Sequence, residues 1–176
     1  MINTTLCYIE KADSYLMIHR TKKKNDCNHD KWIGIGGKFE EGESPFDCVR
    51  REVCEETGIV LKKAEYRGLV TFVSRETAKP GKPAPETYYE LMHLFWSSDF
   101  EEPASLAACD EGELEWVPKA KMNEPPHWQG DEIFLDLIDK KVPFFSLKLE
   151  YLDGRLVNSV LEPTTSTQNI GALNPP

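Results

Sequence analysis

Between Gly34 and Ile59 a glycine-rich run leads through a short spacer into a helix that carries three glutamates on one ridge. Ser44 is placed to cap that helix, Pro45 takes its first helical position, and Asp47 stands three residues after the cap. Gly58 closes it where a left-handed residue is wanted. Along Ser44–Thr57, Phe46, Val49 and Val53 form an apolar stripe, so the helix can pack against a core. Glu52, Glu55 and Glu56 stand at i, i+3 and i+4, within an arc of about 100°. Any fold of this stretch must bury one helix face while holding three like charges together on another.

Like charges one turn apart cost an isolated helix about 0.2–0.5 kcal/mol. Arg50 and Arg51 offset part of this, and on spacing alone the ridge also reads as a solvated acidic face. As ligands, three carboxylates with no thiol or imidazole cluster beside them suit a hard divalent cation, Mg²⁺ or Mn²⁺. Gly34, Gly36 and Gly37 add backbone that a ligand can approach closely and a carbonyl that can turn toward a metal.

Around this segment the pattern predicts strands over Thr4–Glu10 and Ser14–Arg20, joined by a hairpin at Lys11-Ala12-Asp13. Further strands are expected over Glu65–Ser74, Thr87–Trp96 and Glu113–Val117, with a proline-rich loop at Lys79–Pro85. A second helix spans Gly130–Lys140, with Ile133, Phe134, Leu137 and Ile138 on one face. Strands Phe144–Leu152 and Arg155–Leu161 are joined by Asp153-Gly154, a type I′ signal. The polar run from Pro163 to Pro176 reads as a disordered tail after a single domain over 1–162. Mixed strands with two main helices make an α+β or α/β sandwich.

Thirty acids against 21 bases leave a net charge of −9. That sign argues against general binding to nucleic acid or to an anionic membrane. A polyanionic substrate would need local bases or metal cations. No apolar run is long enough to span a bilayer, and the start lacks the pattern of a signal peptide. Cys7, Cys27, Cys48, Cys54 and Cys109 are scattered without a C-x-x-C pair, which reads as free thiols in a reducing compartment. A cytoplasmic enzyme or binding domain is the expectation.

The complete pattern is Gly37, five residues, Glu43, seven residues, then Arg51-Glu52-Val53-Cys54-Glu55-Glu56-Thr57-Gly58-Ile59. It resembles the Nudix box, G-x5-E-x7-R-E-U-x-E-E-x-G-U with U apolar, at every defined position. The resemblance implies an α/β/α sandwich around a mixed sheet. It implies hydrolysis of a nucleoside diphosphate linked to another group. Glu52, Glu55 and Glu56 would bind magnesium or manganese with the Gly36 carbonyl, and one of these glutamates would act as general base. Glu43 and Arg51 would orient the catalytic helix. Arg20, Lys22, Lys23 and Lys38 are candidates for phosphate contacts.

Lys31-Trp32-Ile33-Gly34-Ile35-Gly36-Gly37-Lys38, with His19-Arg20 upstream, is similar to the 8-oxo-dGTP diphosphatase branch of MutT-type and mammalian enzymes. By that likeness Glu111, of Asp110-Glu111, is a further metal ligand or base. Trp128 would stack on a purine, and Asp131 would bond its edge. Ile33 and Gly130 depart from the mammalian pattern, which has an Asn and an acid there. The partner implied is a small nucleotide. Other nucleoside diphosphate derivatives, or a nucleotide-binding regulator without hydrolysis, are the alternatives, and the intact glutamates argue against the regulator.

Overall fold

The computed structural model describes residues 2–22, 27–78, 80–83 and 85–163. Lys23, Lys79, Ala84 and the tail from Thr164 onward, all part of the readings above, lie outside the described residues. The chain runs β1 (Ile2–Lys11), β2 (Ser14–His19), β3 (Trp32–Ile33), α1 (Pro45–Thr57), β4 (Val60–Arg75) and β5 (Tyr88–Glu101). It continues through β6 (Glu113–Pro118), α2 (Gln129–Asp139), β7 (Phe145–Leu152) and β8 (Arg155–Pro163). The strands form one mixed sheet, β3-β2-β1-β5-β4-β7-β8, with β6 also paired to β2. The β1–β5 and β4–β7 pairs are parallel and the others antiparallel.

Alternation along the strands divides the core in two. Tyr8 of β1 and Tyr15 and Met17 of β2 pack with Phe134, Leu137 and Ile138 of α2. Their neighbours Cys7, Ile9, Leu16 and Ile18 pack with Val49 and Val53 of α1. Residues one apart on a strand face opposite ways, so the two clusters lie on opposite sides of the sheet with one helix on each. This is the expected layered sandwich.

One split in the sheet positions the site. Because β6 pairs with β2 along its whole length, β1 and β3 must share the other edge of β2. β1 takes Ser14–Leu16 and β3 takes Ile18 and His19. The chain after β3 then runs beside β1, with bridges Cys7↔Ile35 and Thr4↔Lys38. The glycine-rich run is thereby wedged against β1, facing α1.

Local chemistry explains the helix and the turns. The Ser44 side chain accepts from the Asp47 N–H, and the Asp47 carboxylate accepts from the Ser44 N–H, a reciprocal capping box. Gly58 ends α1 at φ 76°, with its N–H donating to the Cys54 carbonyl. Asp153 and Gly154 both have positive φ, 50° and 76°, as a type I′ turn requires.

Four elements differ from the sequence expectation, among them β5, which runs past Trp96 to Glu101 and pairs there with the start of β4. β4 starts at Val60, because Lys62 and Lys63 lie exposed on a bulged stretch that shows no apolar alternation. β3 has two residues, too few for any periodicity. β8 extends through Pro163, which pairs with Phe145, so the polar run begins inside the sheet. No helix among the described residues is long and apolar enough to cross a membrane.

Candidate active site

Arg51 organises the acids of α1. Its Nε and Nη2 grip the two oxygens of Glu43 at 2.6 and 3.0 Å, a bidentate pair. Nη1 donates to Glu52 at 2.9 Å and to Glu55 at 3.1 Å. Nη2 also reaches the Lys38 carbonyl at 3.0 Å, which ties the helix to the loop. The guanidinium beside it holds the Glu43 carboxyl down to about 2, helped by the Glu40 N–H. Glu43 in turn leads in raising the Arg51 pKa. Five hydrogen bonds from one planar fork are beyond a lysine.

The loop supplies the opposing wall. Thr5 N–H donates to the Gly37 carbonyl at 2.8 Å and Cys7 N–H to the Ile35 carbonyl at 2.7 Å. By strand alternation the Gly36 peptide groups fall on the other edge, away from β1. There the Gly36 N–H meets Glu56 Oε2 at 3.3 Å. A Cβ on Gly37 would stand 2.3 Å from Glu52 Oε1, so the Glu52 carboxylate lies directly against that glycine. Glu52 and Glu56 thus converge on Gly36-Gly37, while Glu55 is 61% exposed and turned to Arg51.

Glu111 ion-pairs with Arg20, both largely shielded from solvent. Lys22 sits on the same turn, its Nζ donating to the Cys109 carbonyl and its N–H to that of Glu111. Burial and then the charge of Glu56 raise the Cys109 pKa, so this turn and the end of the acidic ridge are within electrostatic reach. Lys38 is exposed. Among the described residues, no three acid, imidazole or thiol side chains converge closely enough to hold a metal ion in this arrangement. The donor set nonetheless fits a hard cation. The Glu52 carboxylate lies against Gly37, Glu56 meets the Gly36 N–H, and Glu55 stands on the same ridge, so the oxygen donors of the helix and the loop face one another.

The purine-reading candidates lie on the α2 side of the sheet. Asp131 is buried and lines a small cavity with Trp32, Met17, Met122, His127 and Tyr8. Burial raises its carboxyl to about 7, against the pull of the nearby His127 charge. Burial opposes the charge of His127 too, but the Pro125 carbonyl and Glu132 outweigh it and raise that pKa. Trp128 packs edge-on with Phe72 and Tyr151 at 5.5 and 5.2 Å, donates to Asn28 Oδ1 at 2.7 Å, and carries Lys31 Nζ over its ring at 4.5 Å. The flat wall beside Asp131 is therefore Trp32, itself stacked on His19 at 4.7 Å. Trp32 lies within the Lys31–Lys38 motif and Tyr8 within the first strand, and nothing in the spacing of either marks it as part of a cavity wall.

Residues 2–138 match the model of the NUDIX domain. The chain is 27% identical over 136 residues to the Bacillus subtilis protein YvcI, described as an uncharacterized Nudix hydrolase, covering 77% of this chain and 78% of that protein. It is 28% identical over 123 residues to the oxidized purine nucleoside triphosphate hydrolase of Danio rerio, covering 69% and 71%. The crystal structure of a MutT protein from Bacillus halodurans superposes with TM-score 0.75 at 25% identity, over 93% of this chain and 99% of that one.

Proposed function

The chain belongs to the Nudix hydrolase family, and from that premise we propose that it cleaves nucleoside triphosphates to the monophosphate and pyrophosphate, with 8-oxo-dGTP or a related oxidised purine as substrate. The observation that carries this reading is the convergence of Glu52 and Glu56 on Gly36-Gly37 under the Arg51 clamp. The name borne by the Danio rerio relative supports the substrate class.

Family members generally use divalent metal ions. Glu52, Glu55, Glu56, Glu111 and the Gly36 carbonyl would hold magnesium, which when bound would supply neutralisation of phosphate oxygens and a more acidic water. Arg51 keeps the Glu52 and Glu55 carboxylates aimed, and Glu43 anchors Arg51. Glu56 takes the proton of the attacking water. Arg20, Lys23 and Lys38 receive the phosphates, which offsets the −9 charge of the chain locally. Trp128 and Asp131 position the base. Ile33 brings no hydrogen-bonding side chain, so base selection falls to the remaining cavity groups.

A panel of oxidised and ordinary (d)NTPs, dinucleotides and sugar nucleotides, with pyrophosphate and phosphate detected separately, tests the reading. Pyrophosphate release from purine triphosphates, lost in Glu56→Gln with the melting temperature kept, is the expected result. Turnover by Glu56→Gln at the wild-type rate, or cleavage confined to dinucleotides or sugar nucleotides, would overturn it.

A further inference from the structure

The sheet ends in two unlike edges. At one, β3 has two residues and β6 carries Glu113, Glu115 and Pro118, so an incoming strand meets charge and proline there. At the other, β8 pairs only with β7 among the described residues and presents a run of nine, with proline only at its last position. Val157, Val160 and Leu161 of β8 are 58%, 43% and 40% exposed. A long apolar edge with one row of backbone groups unpaired is a template for another strand, and folded proteins ordinarily blunt it.

The sequence of β8 reads alike from either end. Arg155-Leu156-Val157-Asn158 is answered by Ser159-Val160-Leu161-Glu162, with a base at one end and an acid at the other. Neither Arg155 nor Glu162 forms an ion pair among the described residues. Seven residues apart on a regular strand, the two would face opposite sides of the sheet. A bulge prevents this: Glu150 pairs with Asn158 and the next residue, Tyr151, with Leu156, which leaves Val157 without a partner in the ladder. Arg155 and Glu162 therefore share the α1 face, across from Leu152 and Ser146. Leu156 and Leu161 share the α2 face, across from Tyr151 and Leu147.

We propose that β8 is the contact of a symmetric dimer, pairing antiparallel with β8 of a second copy about a twofold axis at Ser159. An axis perpendicular to the sheet keeps each face on its own side, so only residues that share a face can meet across it. In this register Ser159 meets its own counterpart and Val160 meets Asn158 of the second copy. Leu161 meets Leu156 on the α2 face, and Glu162 meets Arg155 on the α1 face, each pair formed twice. Chains of charge −9 repel one another, but β8 brings one base and one acid from each copy, so the contact makes two ion pairs and adds no net charge. The Leu156 N–H, which donates to the Gln129 side chain at 2.9 Å, passes to the Leu161 carbonyl of the second copy. With the far edge of the sheet blunted, assembly stops at two.

Sedimentation equilibrium of the full chain from about 1 to 500 μM tests it, and a monomer–dimer equilibrium is expected. Glu162→Arg sets arginine against arginine twice and should raise the dimer Kd about tenfold or more. Arg155→Glu combined with Glu162→Arg restores opposite charges across the axis and should return Kd to within about threefold of the wild type. The two positions are not partners within one chain, so damage to the fold would add in the double variant, whereas the dimer contact is rescued. Hydrogen exchange of the β8 amides should slow as concentration rises, and less so in Glu162→Arg. A wild type that stays monomeric across the range, or assemblies larger than two, would overturn the inference. So would a Glu162→Arg variant that dimerises as the wild type does, or a double variant as weak as the single one.

Discussion

Asp131 is an acid in a place its type seldom takes, buried within the fold. An aspartate in the first turn of a helix is ordinarily charged and stabilised by the helix dipole. Here burial prevails and its carboxyl is raised from 3.8 to about 7. In the unfolded chain it ionises near 3.8, so between that pH and about 7 the folded protein keeps a proton that the unfolded one has released. With more protons bound to the folded state, the stability from this residue is full below that window and declines as pH rises through it. Thermal melts of wild type and Asp131→Asn from pH 4 to 8 should show the wild type losing ground steadily up to about pH 7, then a constant gap. A gap constant across the whole range would mean that Asp131 is not held neutral. Glu43 runs the other way: Arg51 lowers its pKa to about 2, so its stabilisation is lost only in acid.

Within the elements, the loop against β1 and α1 separates two kinds of glycine. A Cβ on Gly36 would lie 2.1 Å from the Thr5 carbonyl oxygen, which is backbone in the sheet and cannot yield. On Gly37 the obstacle is the Glu52 carboxylate, the far end of a flexible side chain. Gly36→Ala should therefore destabilise the protein by more than about 2 kcal/mol. Gly37→Ala should keep its melting temperature within a few degrees and lose about tenfold or more in turnover, because Glu52 is pushed from its place. Melting and turnover measured on both variants check this, and equal stability losses would count against the assigned geometry. The capping box and Gly58, by contrast, were readable from spacing alone, since each acts within a few residues of chain.

For the whole molecule the net charge of −9 sets the terms. Acids crowded on α1 repel one another, and Arg51 relieves only part of that. A divalent cation that binds the folded ridge and not the unfolded chain must raise stability by mass action, about 2.7 kcal/mol at a hundredfold excess over Kd. Magnesium should raise the melting temperature of the wild type with saturation, and of Glu52→Gln much less. Potassium chloride at equal ionic strength is the control for screening. If it reproduces the magnesium shift, the ridge is an acidic surface and not a cation site.

The residue spacing from Gly37 to Ile59 determined the helix, its caps, the acidic ridge and the family, because a helix converts separation along the chain directly into position on a face. The Asp153-Gly154 turn and the two-helix sandwich were legible for the same reason, since local periodicity states which face is buried. Tertiary structure alone decided which carboxylates touch the loop, with Glu52 against Gly37 and Glu56 at Gly36, and which stays on Arg51. It also decided that Asp131 of α2 shares a cavity with Tyr8 of β1 and Trp32 of β3, and that Glu111 meets Arg20. Such meetings depend on strand order and on how two cores fill opposite faces of one sheet, relations between distant segments that no local repeat encodes.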